Sequence, residues 1–174
     1  WGGGVAGKGA PGEWLNQCTG AGLHGPVDRA ELEDVIRWWE SAGIEPRFEI
    51  APHADEGLFR AFEEMRFAVR SFENVFFREL DPALPVRPVH EAPAGLVIER
   101  VDPSDERAVR EYSTVAMSGF YPSDAPPAEE NYATSARVVR APRVHCFVAR
   151  VDGRVVGAGG MEVDPPACGL FGLS

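Results

Sequence analysis

The sequence predicts an α+β fold in which a mixed, mostly antiparallel sheet is flanked by helices. Short runs of alternating apolar residues, which predict strands, lie among longer runs with apolar residues every three or four positions, which predict helices. Two of the strand runs, residues 144–151 and 154–163, are separated only by Asp152 and Gly153. That spacing favours a tight antiparallel hairpin. Residues 81–94 are rich in proline and lack any apolar period, so we interpret them as a linker between two units.

The first predicted unit covers residues 1–80. After a glycine-rich start, residues 13–18 and 46–50 predict two short strands. Asp28 predicts the N-cap of a helix with the apolar stripe Leu32, Val35, Ile36 and Trp39. Asp55 predicts the N-cap of a second helix with the apolar face Leu58, Phe59, Phe62 and Met65. Residues 67–80 are β-branched and aromatic, and they predict one long strand on the sheet that these helices cover.

The second predicted unit covers residues 95–174. It opens with a strand at residues 95–101, and Asp102 then predicts the cap of a helix that ends near Met117. A proline-containing loop separates this helix from a weaker one at residues 129–139. The hairpin follows, and residues 167–174 predict the last strand.

Composition and charge exclude several classes of protein. The 174 residues include 17 basic and 27 acidic side chains, a formal net charge of −10, and no basic cluster. Such a surface repels a phosphate backbone, so we expect no nucleic-acid partner. No apolar run reaches the roughly 18 residues of a membrane helix. The first residues do not form a signal peptide, and we therefore expect a cytoplasmic protein without membrane contact.

The cysteines and the chain ends support two further expectations. Cys18, Cys146 and Cys168 are odd in number and lack metal-site spacing, which predicts buried thiols rather than disulfides or a metal site. The chain lacks an initiator Met and stops within an apolar run, so we expect a part of a longer protein. Trp38 must lie at the margin of its helix stripe, where it would cover a neighbouring element or a second subunit. A homodimer is therefore one expectation.

The second unit resembles the first half of the GNAT superfamily of N-acetyltransferases. The resemblance rests on the order strand, helix, loop, helix, strand, turn, strand, strand, and on the hairpin VARVDGRVVGAGGMEV at residues 148–163. It implies acetyl-CoA as co-substrate, an amine as acceptor, either a small molecule or a peptide, and no metal. In that family the last strand runs beside acetyl-CoA. The resemblance therefore places Leu173 and Ser174 among the cofactor-binding residues.

The first unit resembles the back half of the same fold, so the chain looks like parts of two tandem domains, the first of them degenerate. Residues 17–22 read Gln-Cys-Thr-Gly-Ala-Gly, which matches the family's pyrophosphate-loop pattern of Gln/Arg-x-x-Gly-x-Gly/Ala. The resemblance implies that amides near Gly20 and Gly22 cradle the pyrophosphate. Residues 23–27 intervene before the helix, however. A degenerate loop kept for its turn geometry is the alternative interpretation.

Two further residues are candidates for the site. Glu162, near the end of the hairpin, would act as the general base that takes the amine proton. The alternative is a solvated residue at a sheet edge. Tyr121, in the loop between the two helices, would shape the acceptor pocket or merely close the loop.

Two rival functions stay open from the sequence. One is a catalytically inactive GNAT-like module that serves in dimerisation or ligand sensing. The other is an unrelated α+β ligand-binding domain. The acceptor amine is not identified by any motif, because acceptor pockets in this superfamily are built from loops.

Overall fold

The computed structural model describes residues 1–85, 87–120 and 129–174. These residues form four helices and seven strands, a mixed α+β arrangement with antiparallel pairing in both sheets. They divide into two compact units, Trp1–Glu79 and Leu80–Ser174. Within the described ranges, no helix is long and apolar enough to cross a membrane.

The first unit contains a small sheet and two helices. Its elements are β1 (Val5–Ala6), β2 (Cys18–Thr19), α1 (Arg29–Glu40), β3 (Phe48–Glu49) and α2 (Glu56–Glu64). The strand order is β1-β2-β3, with β1 antiparallel and β3 parallel to β2. Helix α1 therefore connects two neighbouring parallel strands, which is a βαβ unit.

Both helix starts of the first unit are confirmed. Asp28 caps α1 by accepting a hydrogen bond from the Ala30 N–H, and Asp55 caps α2 by accepting one from the Gly57 N–H. The core of the unit contains, from these helices, Leu32, Val35, Trp39, Leu58 and Phe62. The expectation that Phe59 is buried is wrong, since its side chain is 41% exposed.

The strands of the first unit are shorter than predicted. The strand predicted at residues 13–18 is reduced to β2, because residues 10–17 form turns in which Asn16 bonds the backbone of Gly9 and Ala10. The strand predicted at residues 67–80 is wrong, since none of these residues belongs to a helix or strand. Strand composition favours a strand only where a neighbouring strand supplies the hydrogen bonds.

The second unit contains a four-stranded sheet and two helices. Its elements are β4 (Leu96–Arg100), α3 (Glu106–Ser118), α4 (Glu129–Val139), β5 (Val144–Val151), β6 (Arg154–Asp164) and β7 (Ala167–Phe171). The strands follow one another in chain order, and every pair is antiparallel. The predicted hairpin is confirmed, and Asp152 and Gly153 both have positive φ, as a two-residue hairpin turn requires.

The cap of α3 corrects another expectation. Asp102 instead accepts hydrogen bonds from the N–H and hydroxyl of Ser104, and α3 begins three residues later. Asp105 is its N-cap and accepts from the N–H groups of Arg107 and Ala108. Both helices pack on one face of the sheet, where the core includes Val109, Tyr112, Tyr132, Ala136, Cys146, Val148 and Ala158.

Candidate functional site

The end of strand β7 carries a β-bulge. Phe171 pairs with Gly160 of β6, while Ser174 exchanges two backbone hydrogen bonds with Ala158, at 2.9 and 3.0 Å. Two residues, Gly172 and Leu173, therefore lie opposite the single residue Gly159, which defines a bulge. Gly172 has φ of 59°, a left-handed conformation that glycine adopts without strain.

The bulge leaves a backbone donor without a backbone acceptor. Within the described ranges, the Leu173 N–H makes no backbone hydrogen bond, although its neighbour Ser174 is paired in both directions. Strand β7 is also the last strand of its sheet in the described part of the chain. A free N–H at such a position can bind a carbonyl or a developing oxyanion.

Glycines on β6 give room to the end of β7. A Cβ atom built on Gly159 would lie 2.6 Å from Cδ2 of Leu173, and one built on Gly160 would lie 2.5 Å from the Phe171 ring. Real side chains do not approach this closely. The glycine-rich wording of the hairpin therefore has a packing role, because it lets two β7 side chains lie across β6.

Glu162 lies on β6 between Val144 and Gly169, its partners in the neighbouring strands. It shares the helix-covered face with the buried residues Ala158 and Gly160, because alternate residues of a strand point the same way. Its own side chain is exposed. It is three residues along β6 from Gly159, or about 10 Å. One bridging water spans only about 6 Å between polar atoms, so a proton path to the bulge needs at least two waters.

Sequence reasoning missed Tyr112, whose side chain lies beneath the bulge. Tyr112 is 3% exposed, and its hydroxyl is 3.8 Å from the position that a Cβ on Gly172 would take. The hydroxyl donates a hydrogen bond to the sulfur of Cys146. Burial and this bond raise the pKa of Tyr112 well above its ordinary value, so the phenol stays protonated. Only the apolar period of α3 marked Tyr112 in the sequence, and that period indicates burial rather than chemistry.

Two contacts hold α3 against this end of the sheet. The Ser174 hydroxyl donates to the Ala116 carbonyl at 2.9 Å, next to the C-terminus of α3. Farther along, the Arg150 guanidinium binds Glu111 of α3 and, at 2.7 Å, Glu99 of β4. The hydrogen bond from Arg150 lowers the pKa of Glu111, which keeps this carboxylate ionised.

The glycine loop of the first unit is packed rather than open. The Gly22 N–H donates to the Gly2 carbonyl at 3.2 Å, and the Gly22 carbonyl accepts from the Asp55 N–H at 2.9 Å. A Cβ on Gly22 would lie 3.1 Å from that Asp55 nitrogen. Gly20 has φ of 78°, which serves the turn itself. The amide of Gly22 is thus already used inside the unit, and the N-terminus of α1 is closed by Asp28.

The remaining predicted site features lie apart. Tyr121 falls in residues 121–128, outside the described residues. An open depression of about 710 Å³ lies along α3, and its lining includes Arg107, Arg110 and Val155 but neither Glu162 nor Leu173. In the part of the chain that the structure describes, no three His, Cys, Asp or Glu side chains are grouped as metal ligands. Of the cysteines, Cys18 and Cys146 are buried as expected, whereas Cys168 is exposed.

Comparisons with known proteins leave this arrangement without a counterpart. No protein-family model matches the chain. No curated protein and no solved structure matches it either.

Proposed function

We propose that the protein is an acetyl-CoA-dependent N-acetyltransferase of the GNAT type, with the transfer site at the end of β7. The observation that carries the proposal is the free Leu173 N–H, held by a bulge at the end of a strand. The strand–helix–helix–hairpin–strand order of the second unit adds support, because it agrees with the front half of that fold. A cytoplasmic location is part of the proposal, since buried free thiols suit a reducing compartment.

The proposed reaction is a direct transfer. Acetyl-CoA supplies an electrophilic thioester carbon. The amine nitrogen of the acceptor attacks that carbon, and the negative charge that develops on the carbonyl oxygen is stabilised by the Leu173 N–H. Glu162 accepts the amine proton through ordered water, the carbon–sulfur bond breaks, and the thiolate leaves. The acceptor is an amine, and the residues named here do not restrict it further.

Tyr112 has a positioning role in this proposal. Its buried hydroxyl packs against Gly172 and would resist flattening of the bulge. A protonated phenol with no contact to the acceptor would affect the orientation of the Leu173 N–H without taking a proton itself.

The first unit is assigned no chemistry. Its loop spends the Gly22 amide on Gly2, and the Asp28 carboxylate occupies the helix end where a phosphate would bind. Both features disfavour pyrophosphate there, because like charges repel and the donors are taken. This agrees with the interpretation of residues 17–22 as a degenerate loop.

The test is acetyl transfer by the purified chain to a panel of primary amines, followed by mass spectrometry of the products. A thiol-release assay needs the Cys168→Ser background, because the exposed Cys168 thiol consumes the reagent. Glu162→Gln should lower turnover by about 10²-fold at neutral pH, with a smaller loss as pH rises and more amine arrives deprotonated. The matched control is Glu91→Gln, an exposed carboxylate in the linker.

Three results separate the alternatives. Turnover that Glu162→Gln does not change at any pH would place the base elsewhere and leave the transferase intact. Binding of acetyl-CoA without product from any amine would favour the inactive GNAT-like module. Neither binding nor product would contradict the proposal.

A further inference from the structure

Residues 71–79, here called the aromatic segment, expose an unusual amount of apolar surface. Phe72 is 91% exposed, Phe76 is 91% exposed and Phe77 is 96% exposed, and Val75 between them is 84% exposed. None of these residues belongs to a helix or strand. Contiguous exposed apolar side chains mark a surface that binds a partner.

The residues just before the aromatic segment are anchored in the first unit. The Phe67 ring packs 5.5 Å from that of Phe48 and 4.8 Å from that of Phe62. Three residues later, Arg70 binds Glu45 at 2.9 Å. As Phe67 meets Phe48 and Arg70 meets Glu45, the two stretches run antiparallel along the outer edge of β3.

A backbone ladder along this edge is blocked by proline. Pro46 lies between Glu45 and Phe48 and has no N–H to donate. The chain therefore leaves the small sheet after Arg70, with the aromatic segment unpaired among the described residues. Its β-branched and aromatic composition still favours a strand once hydrogen-bonding partners are supplied.

We propose that the aromatic segments of two copies of this chain pair antiparallel about a two-fold axis and form a dimer. Charge selects the register. When Glu73 lies opposite Arg78 of the second copy, the two-fold axis creates the same ion pair twice. Shifting the register by two residues in either direction, or by one, loses both pairs, and one of the one-residue shifts sets Glu73 against Glu79. Like charges directly opposite each other destabilise a pair of strands.

The apolar side chains agree with that register. Val75 then faces Phe76 of the second copy, and each face of the ladder receives aromatic rings from both chains. A phenylalanine buries about 150–250 Å² when fully covered, so six of them provide roughly 900–1,500 Å². Stable interfaces bury about 1,200–2,000 Å², which the rings reach together with Val75 and the paired backbone.

A second copy is favoured over an unrelated partner because the segment is complementary to itself. A two-fold interface requires that one surface match its own image, and the spacing of Glu73 and Arg78 around Val75 and Phe76 meets this condition. The proposal does not depend on acetyl transfer.

The experiment is sedimentation equilibrium of the full 174-residue chain over a wide range of concentration. We expect a monomer–dimer equilibrium. Phe76→Asp should weaken dimerisation by more than about 100-fold, because it buries two carboxylates in the ladder. Phe120→Asp, at another exposed phenylalanine, is the matched control and should leave the dimer unchanged.

Charge reversal tests the register. Glu73→Arg alone and Arg78→Glu alone should each weaken the dimer by about 10-fold, since each turns two attractive pairs into repulsive ones. The double variant Glu73→Arg/Arg78→Glu should restore wild-type affinity. Far-UV circular dichroism of each variant checks that it is folded. A chain that is monomeric throughout, a dimer that Phe76→Asp leaves intact, or a double variant no better than the single ones would each overturn the proposal.

Discussion

The hydroxyl of Tyr112 donates a hydrogen bond to the sulfur of Cys146 at the buried interface between α3 and β5. The two residues are far apart in the chain, yet this contact joins the helix beneath the bulge to the centre of the sheet. It is the one polar link between them that both side chains depend on, and its loss can be measured.

Tyr112→Phe should lower the free energy of unfolding by about 1 kcal/mol, because it removes one hydrogen bond and little volume. Cys146→Ala should cost more, about 2 kcal/mol, since it leaves a buried hydroxyl without its acceptor and opens a small cavity. Urea denaturation followed by circular dichroism gives both values. The double variant completes a thermodynamic cycle, and strict additivity would show that the two side chains do not interact.

The thiol of Cys18 should make the first unit sensitive to alkali. Burial raises the pKa of Cys18 from its ordinary value of 9.0 to about 11. The folded-state pKa is thus the higher one, so its contribution to stability is complete below pH 9 and is lost as pH rises towards 11. The loss should reach up to about 3 kcal/mol. Tryptophan fluorescence during urea denaturation measures it, because all four tryptophans lie in the first unit.

Cys18→Ala should flatten that alkaline decline, whereas Cys168→Ala should leave it unchanged. The same difference should appear in thiol titration of the native chain, where Cys168 reacts at once and the buried cysteines only after unfolding. Equal reaction rates for all three thiols would contradict the burial of Cys18.

Adjacent tryptophans of α1 should differ sharply in their contribution to stability. Trp39 is fully buried, and its indole N–H donates to the Gly7 carbonyl at 2.8 Å, whereas Trp38 is 43% exposed. Trp39→Ala should lower the free energy of unfolding by about 3–5 kcal/mol. Trp38→Ala should cost less than about 1 kcal/mol. Fluorescence of the remaining tryptophans reports both transitions, and similar costs would contradict the orientation of α1.

Gly172 should tolerate substitution far less than its neighbour Gly169. Gly172 has φ of 59°, where a β-branched side chain is strained, while Gly169 has open space around a built Cβ. Gly172→Val should therefore destabilise the second unit by about 1–2 kcal/mol, Gly172→Asn by less, and Gly169→Ala by little. Hydrogen exchange at the Ala158 and Ser174 amides, which flank the bulge, is the direct readout. If Gly172→Val leaves that exchange unchanged, the bulge does not depend on this glycine.

Some elements follow from the sequence alone because their signals are local. The Asp28 and Asp55 caps, the apolar stripe ending at Trp39 and the turn at Asp152 each depend on residues within a few positions. A cap satisfies the first N–H groups of its own helix, and a hairpin turn is set by two φ angles. These features need no knowledge of the rest of the chain.

Other features depend on contacts between distant residues, and only the tertiary structure decided them. Residues 67–80 have strand composition, yet Pro46 denies them a ladder along β3 and they form no strand. The contact between Tyr112 and Cys146, and the bulge that sets Gly172 and Leu173 against Gly159, likewise join residues that no local pattern relates. A strand's hydrogen bonds and a buried hydroxyl's acceptor come from elsewhere in the chain, so their pairing is settled only when the whole unit packs.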